Sequence, residues 1–259
     1  MTPAPYPRYE ATLVTLLGLM IGSFLNVCIY RVPRQMSPVH PRSGCTNCGH
    51  MLPWYENIPI ASYLVLRGRC HGCGTPISMM YPIIEALTGA TFLGGYLLFG
   101  PSALLLARLI FCCLLIVLFV IDLQHRILPN VITLPGIVIG LLLSQVAGPG
   151  WLDSVIGIVA GGGLLWLVAE VYYRVRKEDG LGMGDIKMLA MIGAFLGWKL
   201  MLLTLVLASF SGTLVGVYFL VARKESLKYA LPFGTFLAVG AFVAAAAGDR
   251  LMAWYFRLY

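Results

Sequence analysis

The amino-acid sequence predicts an all-α polytopic membrane protein of about eight transmembrane helices, with a small cytoplasmic zinc-ribbon-like insert. Three observations carry this. Hydrophobic residues make up 59% of the chain, charged ones 11%, and mean hydropathy is +0.85, a composition that belongs to integral membrane proteins. The apolar stretches are long and continuous rather than alternating, which selects helices over a β-barrel. Polar residues concentrate in one segment, 31–81, which holds four of the seven cysteines.

Candidate spans run over roughly 11–30, 82–99, 102–121, 129–147, 153–173, 182–198, 200–222 and 231–254. The first has no basic cluster before it and no small-x-small site after it. Ser23 and Asn26 give it a polar face, so it reads as a retained helix rather than a cleaved signal. Orientation follows from Lys and Arg placement. With the amino terminus outside, twelve fall on the segments 31–81, 122–128, 174–181 and 223–230, against four (Arg8, Lys199, Arg250, Arg257) on the other face. Both termini are then outside and the insert is cytoplasmic. The net charge of +7 is thereby a topology signal, and no case arises for nucleic-acid binding. The chain divides into a first membrane helix (1–30), the cysteine-rich insert (31–81) and a helical membrane domain (82–259).

The insert contains Cys45-Thr-Asn-Cys48 and Cys70-His-Gly-Cys73. Each Cys-x-x-Cys supplies two thiolates from a tight knuckle, and two such pairs complete a four-sulfur tetrahedral zinc site. Such a site leaves no open position for water, so its role is structural. Gly49 and Gly74 follow the knuckles, where backbone must turn around a metal. Two disulfides or unlinked thiols are the alternatives, and a cytoplasmic location disfavours disulfides. His50 and His71 lie beside the knuckles as bystanders or replacement ligands. Cys28, Cys112 and Cys113 fall in apolar spans and read as packing residues. So small an insert lacks a large core of its own, which a metal staple offsets. Its aromatic-proline centre, 53–59, is expected against the ribbon or at the membrane interface.

Two aspartates 63 positions apart carry the chemistry. Asp122 closes the third span and Asp185 opens the sixth, within Gly180-Leu-Gly-Met-Gly-Asp-Ile-Lys187. These spans cross in opposite directions, so topology cancels the sequence distance and sets both carboxylates near the inner face. Ionisable groups on membrane segments are costly and usually functional. Two adjacent carboxylates cannot both ionise cheaply and share one proton. One can then activate water while the other polarises a peptide carbonyl. The glycines at 180, 182 and 184 admit close approach of backbone or substrate. Two other readings stand beside a protease: an ion or proton relay in a small transporter, and structural charges, with Asp185 as a helix-start acid. Neither His-Glu-x-x-His nor Gly-x-Ser-x-Gly is present.

Other charges read more simply. Arg108 belongs to the outer half of its span, Glu170 and Arg174 are spaced to pair, and Lys187 snorkels to the inner interface. Glu85 is either a helix-start acid or a recognition residue. Gly161-Gly-Gly163 marks a close helix contact.

Together these residues resemble the type IV prepilin peptidase family over nearly the whole chain. The resemblance rests on Gly22-Ser-Phe-Leu-Asn-Val-Cys-Ile-Tyr-Arg31, the paired knuckles, Trp54-Tyr-Glu-Asn-Ile-Pro59, Ser62-Tyr-Leu64 and Leu66-Arg-Gly-Arg-Cys70. It continues through Tyr81-Pro82 with Glu85, Asp122 followed by Leu128-Pro129, Gly182-Met-Gly-Asp-Ile-Lys187 and Pro232-Phe-Gly234. It implies a bacterial inner-membrane aspartyl protease of the Gly-x-Gly-Asp type, with both termini periplasmic. Such an enzyme cleaves the basic leader of prepilins or pseudopilins on the cytoplasmic side and commonly N-methylates the new terminal residue with S-adenosylmethionine. On this chain the implied catalytic pair is Asp122 and Asp185, and the implied metal ligands are Cys45, Cys48, Cys70 and Cys73. No short motif places the methyltransferase site. Thr46 and Thr235 stand where the family often has proline, and neither is expected to touch the carboxylates.

Overall fold

The computed structural model describes residues 8–178, 182–222 and 232–257, and is helical throughout apart from the insert. Arg223, Lys224 and Lys228 of the charge count, and Gly180, lie outside the described residues. The chain forms two compact units, Met1–Pro101 and Ser102–Tyr259.

In the first unit the long helix α1 (Arg8–Arg31) packs against α3 (Met80–Phe99), with the short helix α2 (Ala61–Val65) in the insert between them. Gly18 and Gly22 of α1 lie against Phe92 and Glu85, and Gly89 of α3 against Leu19, so small residues let the two backbones approach. Two polar contacts tie the pair: Tyr96 donates to Glu10, and Asn26 Nδ2 donates to the Tyr81 carbonyl at 3.0 Å. The polar face read from Ser23 and Asn26 therefore faces α3 rather than lipid. At the end of α1 the buried Arg31 donates to the carbonyls of Ser37 (3.0 Å) and Arg42 (3.4 Å), anchoring the entry to the insert.

The second unit holds α4 (Ala103–His125), α5 (Asn130–Ala147), α6 (Trp151–Arg176), α7 (Met183–Ala222) and α8 (Phe233–Arg257). Ser102 caps α4 by accepting the Leu105 amide at 3.2 Å. Arg126, at φ 55°, closes it by donating its N–H to the Asp122 carbonyl at 2.8 Å. Of Gly161-Gly-Gly163 in α6, Gly161 makes the expected close helix contact, against the backbone of Leu189, whereas Gly163 meets nothing; Gly157, one turn earlier, meets the backbone of Gly193. Glu170 and Arg174 pair as expected, at 2.7 Å.

Among the described residues seven helices are long and apolar enough to cross a membrane, α2 being the exception. Eight spans were expected, and α7 accounts for the difference, because its 40 residues fold back on themselves at Gly197. Asp185 opens the first half. In the second half Leu200 lies against Gly248 and Gly212 against Phe236, so this half runs antiparallel to α8 and returns to the end where α8 begins. Gly197 alone leaves helical geometry, at φ 75° and ψ 172°, which an L side chain rarely adopts. The expected spans 182–198 and 200–222 are thus the two arms of a hairpin with almost no loop. The first arm is the centre of the unit: Met188, Leu189, Met191 and Ile192 are fully buried, and Phe195 stacks on Phe111 of α4 at 4.8 Å. A helix apolar on every side belongs in such a position.

Candidate functional site

Three element ends meet at one end of the second unit: the close of α4, the opening of α7 and the opening of α8. The side chain of Leu128, in the link between α4 and α5, lies against both Gly184 and Gly234, so α7 and α8 start on either side of one residue. Asp122, only 4% exposed, projects from the last turn of α4. Asp185, half-buried, sits in the first turn of α7 and folds its amide back onto the Gly182 carbonyl at 3.1 Å. The two carboxylates are within electrostatic reach of each other. Convergence of the two aspartates, expected from charge topology, is thus present in the fold.

Asp122 is oriented by a residue that the sequence reading dismissed. Its Oδ2 accepts both the Thr235 amide, at 2.7 Å, and the Thr235 hydroxyl, at 3.0 Å. The expectation that Thr235 stays clear of the carboxylates is therefore wrong. The opening turn of α8 presents the Thr235 N–H toward the end of α4, where the Asp122 carboxylate accepts it. Glycines leave room beside each carboxylate. A β-carbon on Gly234 would lie 2.9 Å from Asp122 Oδ2, and one on Gly182 3.2 Å from Asp185 Oδ2. At the same end Lys187 Nζ donates to Asn130 Oδ1 at 2.9 Å, occupied by a side chain at the start of α5.

In the insert, each knuckle closes by the same pair of backbone bonds. The Cys45 amide donates to the His50 carbonyl (2.8 Å) and the Gly49 amide to the Cys45 carbonyl (3.0 Å). In the second knuckle Cys70 donates to Thr75 and Gly74 to Cys70, both at 2.9 Å. Gly49 and Gly74 have φ 72° and 70°, the turn conformation expected of them. The four sulfurs lie within 4.8 Å of one another, with Cys45–Cys73 at 3.8 Å and Cys48–Cys70 at 3.9 Å. A tetrahedral ion with metal–sulfur bonds of about 2.3 Å needs sulfur edges of about 3.8 Å, so the donor set fits a metal. The thiols are unevenly poised without one. The Thr75 hydroxyl and amide, with Asn47, hold Cys73 down to about 6. The His50 amide draws Cys48 down, but the neighbouring cysteines outweigh it and push it up to about 12. Four thiolates this close need a cation between them.

His50 and His71 make a second cluster with Glu56 rather than joining the sulfurs. His71 Nδ1 lies 2.9 Å from Glu56 Oε1, and His50 Nε2 3.5 Å from Oε2. The aromatic-proline centre splits accordingly. Trp54 and Tyr55 are exposed, while Glu56 turns inward and is buried against the knuckles. Cys112 is buried, with Cys28 and Cys113 half-buried, as packing residues should be.

Residues 16–99 match the bacterial peptidase A24 N-terminal domain, and residues 109–217 the type IV leader peptidase family. A protein of Pseudomonas putida named prepilin leader peptidase/N-methyltransferase is 38% identical over 272 residues, covering 95% of this chain and 94% of the relative. The chain belongs to the type IV leader peptidase family. Relatives of the same name in Myxococcus xanthus and Aeromonas hydrophila are 43% and 36% identical, over 87% and 96% of this chain and 69% and 94% of theirs. No solved structure matches the chain significantly.

Proposed function

We propose that the chain is a membrane aspartyl endopeptidase that removes the basic leader of type IV prepilins or secretion pseudopilins and N-methylates the residue thereby exposed. The observation that carries this reading is the meeting of Asp122 and Asp185 at one end of the helical unit of a leader-peptidase family member. An ion relay finds no support in that family membership.

In the proteolytic step the two carboxyls share one proton. The ionised one takes a proton from water as its oxygen attacks the scissile carbonyl; the protonated one donates to the carbonyl oxygen as the tetrahedral species forms. Collapse breaks the C–N bond, and the leaving amine takes the proton held by the dyad. Thr235 fixes one oxygen of Asp122, so the carboxylate keeps its aim without reorganising during attack. The glycines at 182, 184 and 234 let an extended peptide approach side chains that a β-carbon would screen.

Cys45, Cys48, Cys70 and Cys73 would hold Zn2+ in a structural role, its ligand shell closed to water. S-adenosylmethionine would supply the methyl group to the new amino terminus. We place the enzyme in the bacterial inner membrane with both termini periplasmic and the insert cytoplasmic, where the positive charge of the insert belongs. The test is incubation of purified enzyme with a prepilin and mass analysis of the product. Loss of the leader and gain of one methyl group support the assignment; an intact substrate with folded enzyme overturns it.

A further inference from the structure

The first unit contains a cavity of about 590 Å³ that the proteolytic chemistry does not use. It is bounded by the end of α1, the insert and the start of α3. Two acids stand in its wall, Glu56 and Glu85, exposed by only 8% and 7%. Both are held in place. Glu56 is set by His71 and His50. Glu85 Oε2 accepts the Ile60 amide at 2.8 Å, and Ile60 reaches it from φ 62°, a conformation that a β-branched residue rarely adopts. Strain of that kind persists where surrounding structure enforces it. Arg31 and Arg42 line the same space, with Tyr30, Tyr63 and Tyr81; of these rings Tyr30 already carries the Arg34 guanidinium, 4.1 Å from its centroid.

Buried carboxylates are costly without a partner charge, and phenol faces favour cations. The wall therefore suits a ligand that carries cationic centres, a carboxylate and a flat ring. Its volume falls in the range of about 300–1,000 Å³ usual for small-molecule sites. We infer that this cavity binds S-adenosylmethionine, with Glu56 and Glu85 supplying counter-charge to its sulfonium and ammonium groups and Arg31 to its carboxylate. The inference rests on the N-methyltransferase reading above and gives that activity a location. The exposed Trp54 and Tyr55 are then not part of the donor site, although their sequence neighbour Glu56 is.

The test uses the full chain, purified with its metal. Equilibrium dialysis measures binding of S-adenosylmethionine and of its demethylated product S-adenosylhomocysteine, which lacks the sulfonium charge. Glu56→Gln and Glu85→Gln, checked for zinc content and thermal stability, should each weaken the methyl donor at least tenfold and the product by less. Independently, ultraviolet cross-linking of labelled donor to the unaltered protein should mark peptides within residues 16–99. Label confined to residues 102–259, or unchanged affinity in both folded variants, would overturn this location while leaving the methyltransferase reading intact. A wild-type protein that cleaves leaders yet neither binds the donor nor methylates would sink the methyltransferase reading itself, and this site with it.

Discussion

Asp122 owes its orientation to two donors on a single residue, and their separate contributions can be measured. Thr235→Val removes the hydroxyl but keeps the amide. A net hydrogen bond is worth about 0.5–1.5 kcal/mol, so turnover should fall by roughly two- to tenfold with substrate affinity little changed. Thr235→Ser should restore it. The aspartates themselves leave no such margin. Asp122→Asn and Asp185→Asn should each reduce cleavage by several orders of magnitude, because a shared-proton pair needs both carboxyls. Thermal melting should show both variants folded; near-normal cleavage by either would remove the dyad. The pair was legible in the sequence since charge placement sets the depth of each span end. Thr235 was not, because its role comes from the opening turn of α8 meeting the end of α4, 113 residues away in sequence. Only a helix-start amide aimed at a known acid would have pointed to it.

At the scale of elements, span positions followed from hydropathy, and the four-sulfur site from the knuckle spacing. The hairpin in α7 was only half legible. Its two arms were readable as apolar runs, but a reversal made by one glycine leaves no polar loop to mark it. Gly197→Ala would force a side chain into φ 75° and place a β-carbon 2.9 Å from Pro149. The expected cost is about 1–3 kcal/mol, read as a lower melting temperature in detergent with zinc content unchanged. Wild-type stability in that variant would mean that the reversal does not depend on glycine. The knuckles make a complementary case. The insert should hold about one zinc per chain, and a strong chelator should loosen it before the membrane helices. Limited proteolysis within 31–81 preceding loss of helical circular dichroism is the expected order. Metal-free protein with an equally resistant insert would contradict the staple. Glu56 illustrates the limit of pattern here: segment 53–59 was expected as a whole against the ribbon or at the membrane interface, but successive residues of a tight turn point apart, leaving Trp54 outside and Glu56 within.

For the molecule as a whole, the issue is how a peptide bond reaches acids sited among membrane helices. Asp122 ends a span of predominantly apolar residues and Asp185 begins another, so a bilayer crossed by these helices would set both carboxylates near the boundary between hydrocarbon and water rather than at mid-depth. A prepilin has its scissile bond between a charged leader and an apolar stem, and a substrate entering sideways from the lipid would bring that bond to the same boundary. Extended backbone is required there, since a residue inside a regular helix has its carbonyl engaged by the amide four positions on. Gly182 and Gly234 lie directly against the two carboxylates, so neither puts a side chain of its own between the acids and such a strand. Selection would then be by depth as much as by local sequence. Inserting one or two helical turns, about 5 Å each, between cleavage site and stem should reduce turnover sharply, even with the residues flanking the cut unchanged. A soluble peptide that keeps those residues but lacks the stem should be a poor substrate for the same reason. Equal turnover of the lengthened prepilins, or of the soluble peptide, would show that the enzyme reads the sequence around the bond and not its position in the bilayer.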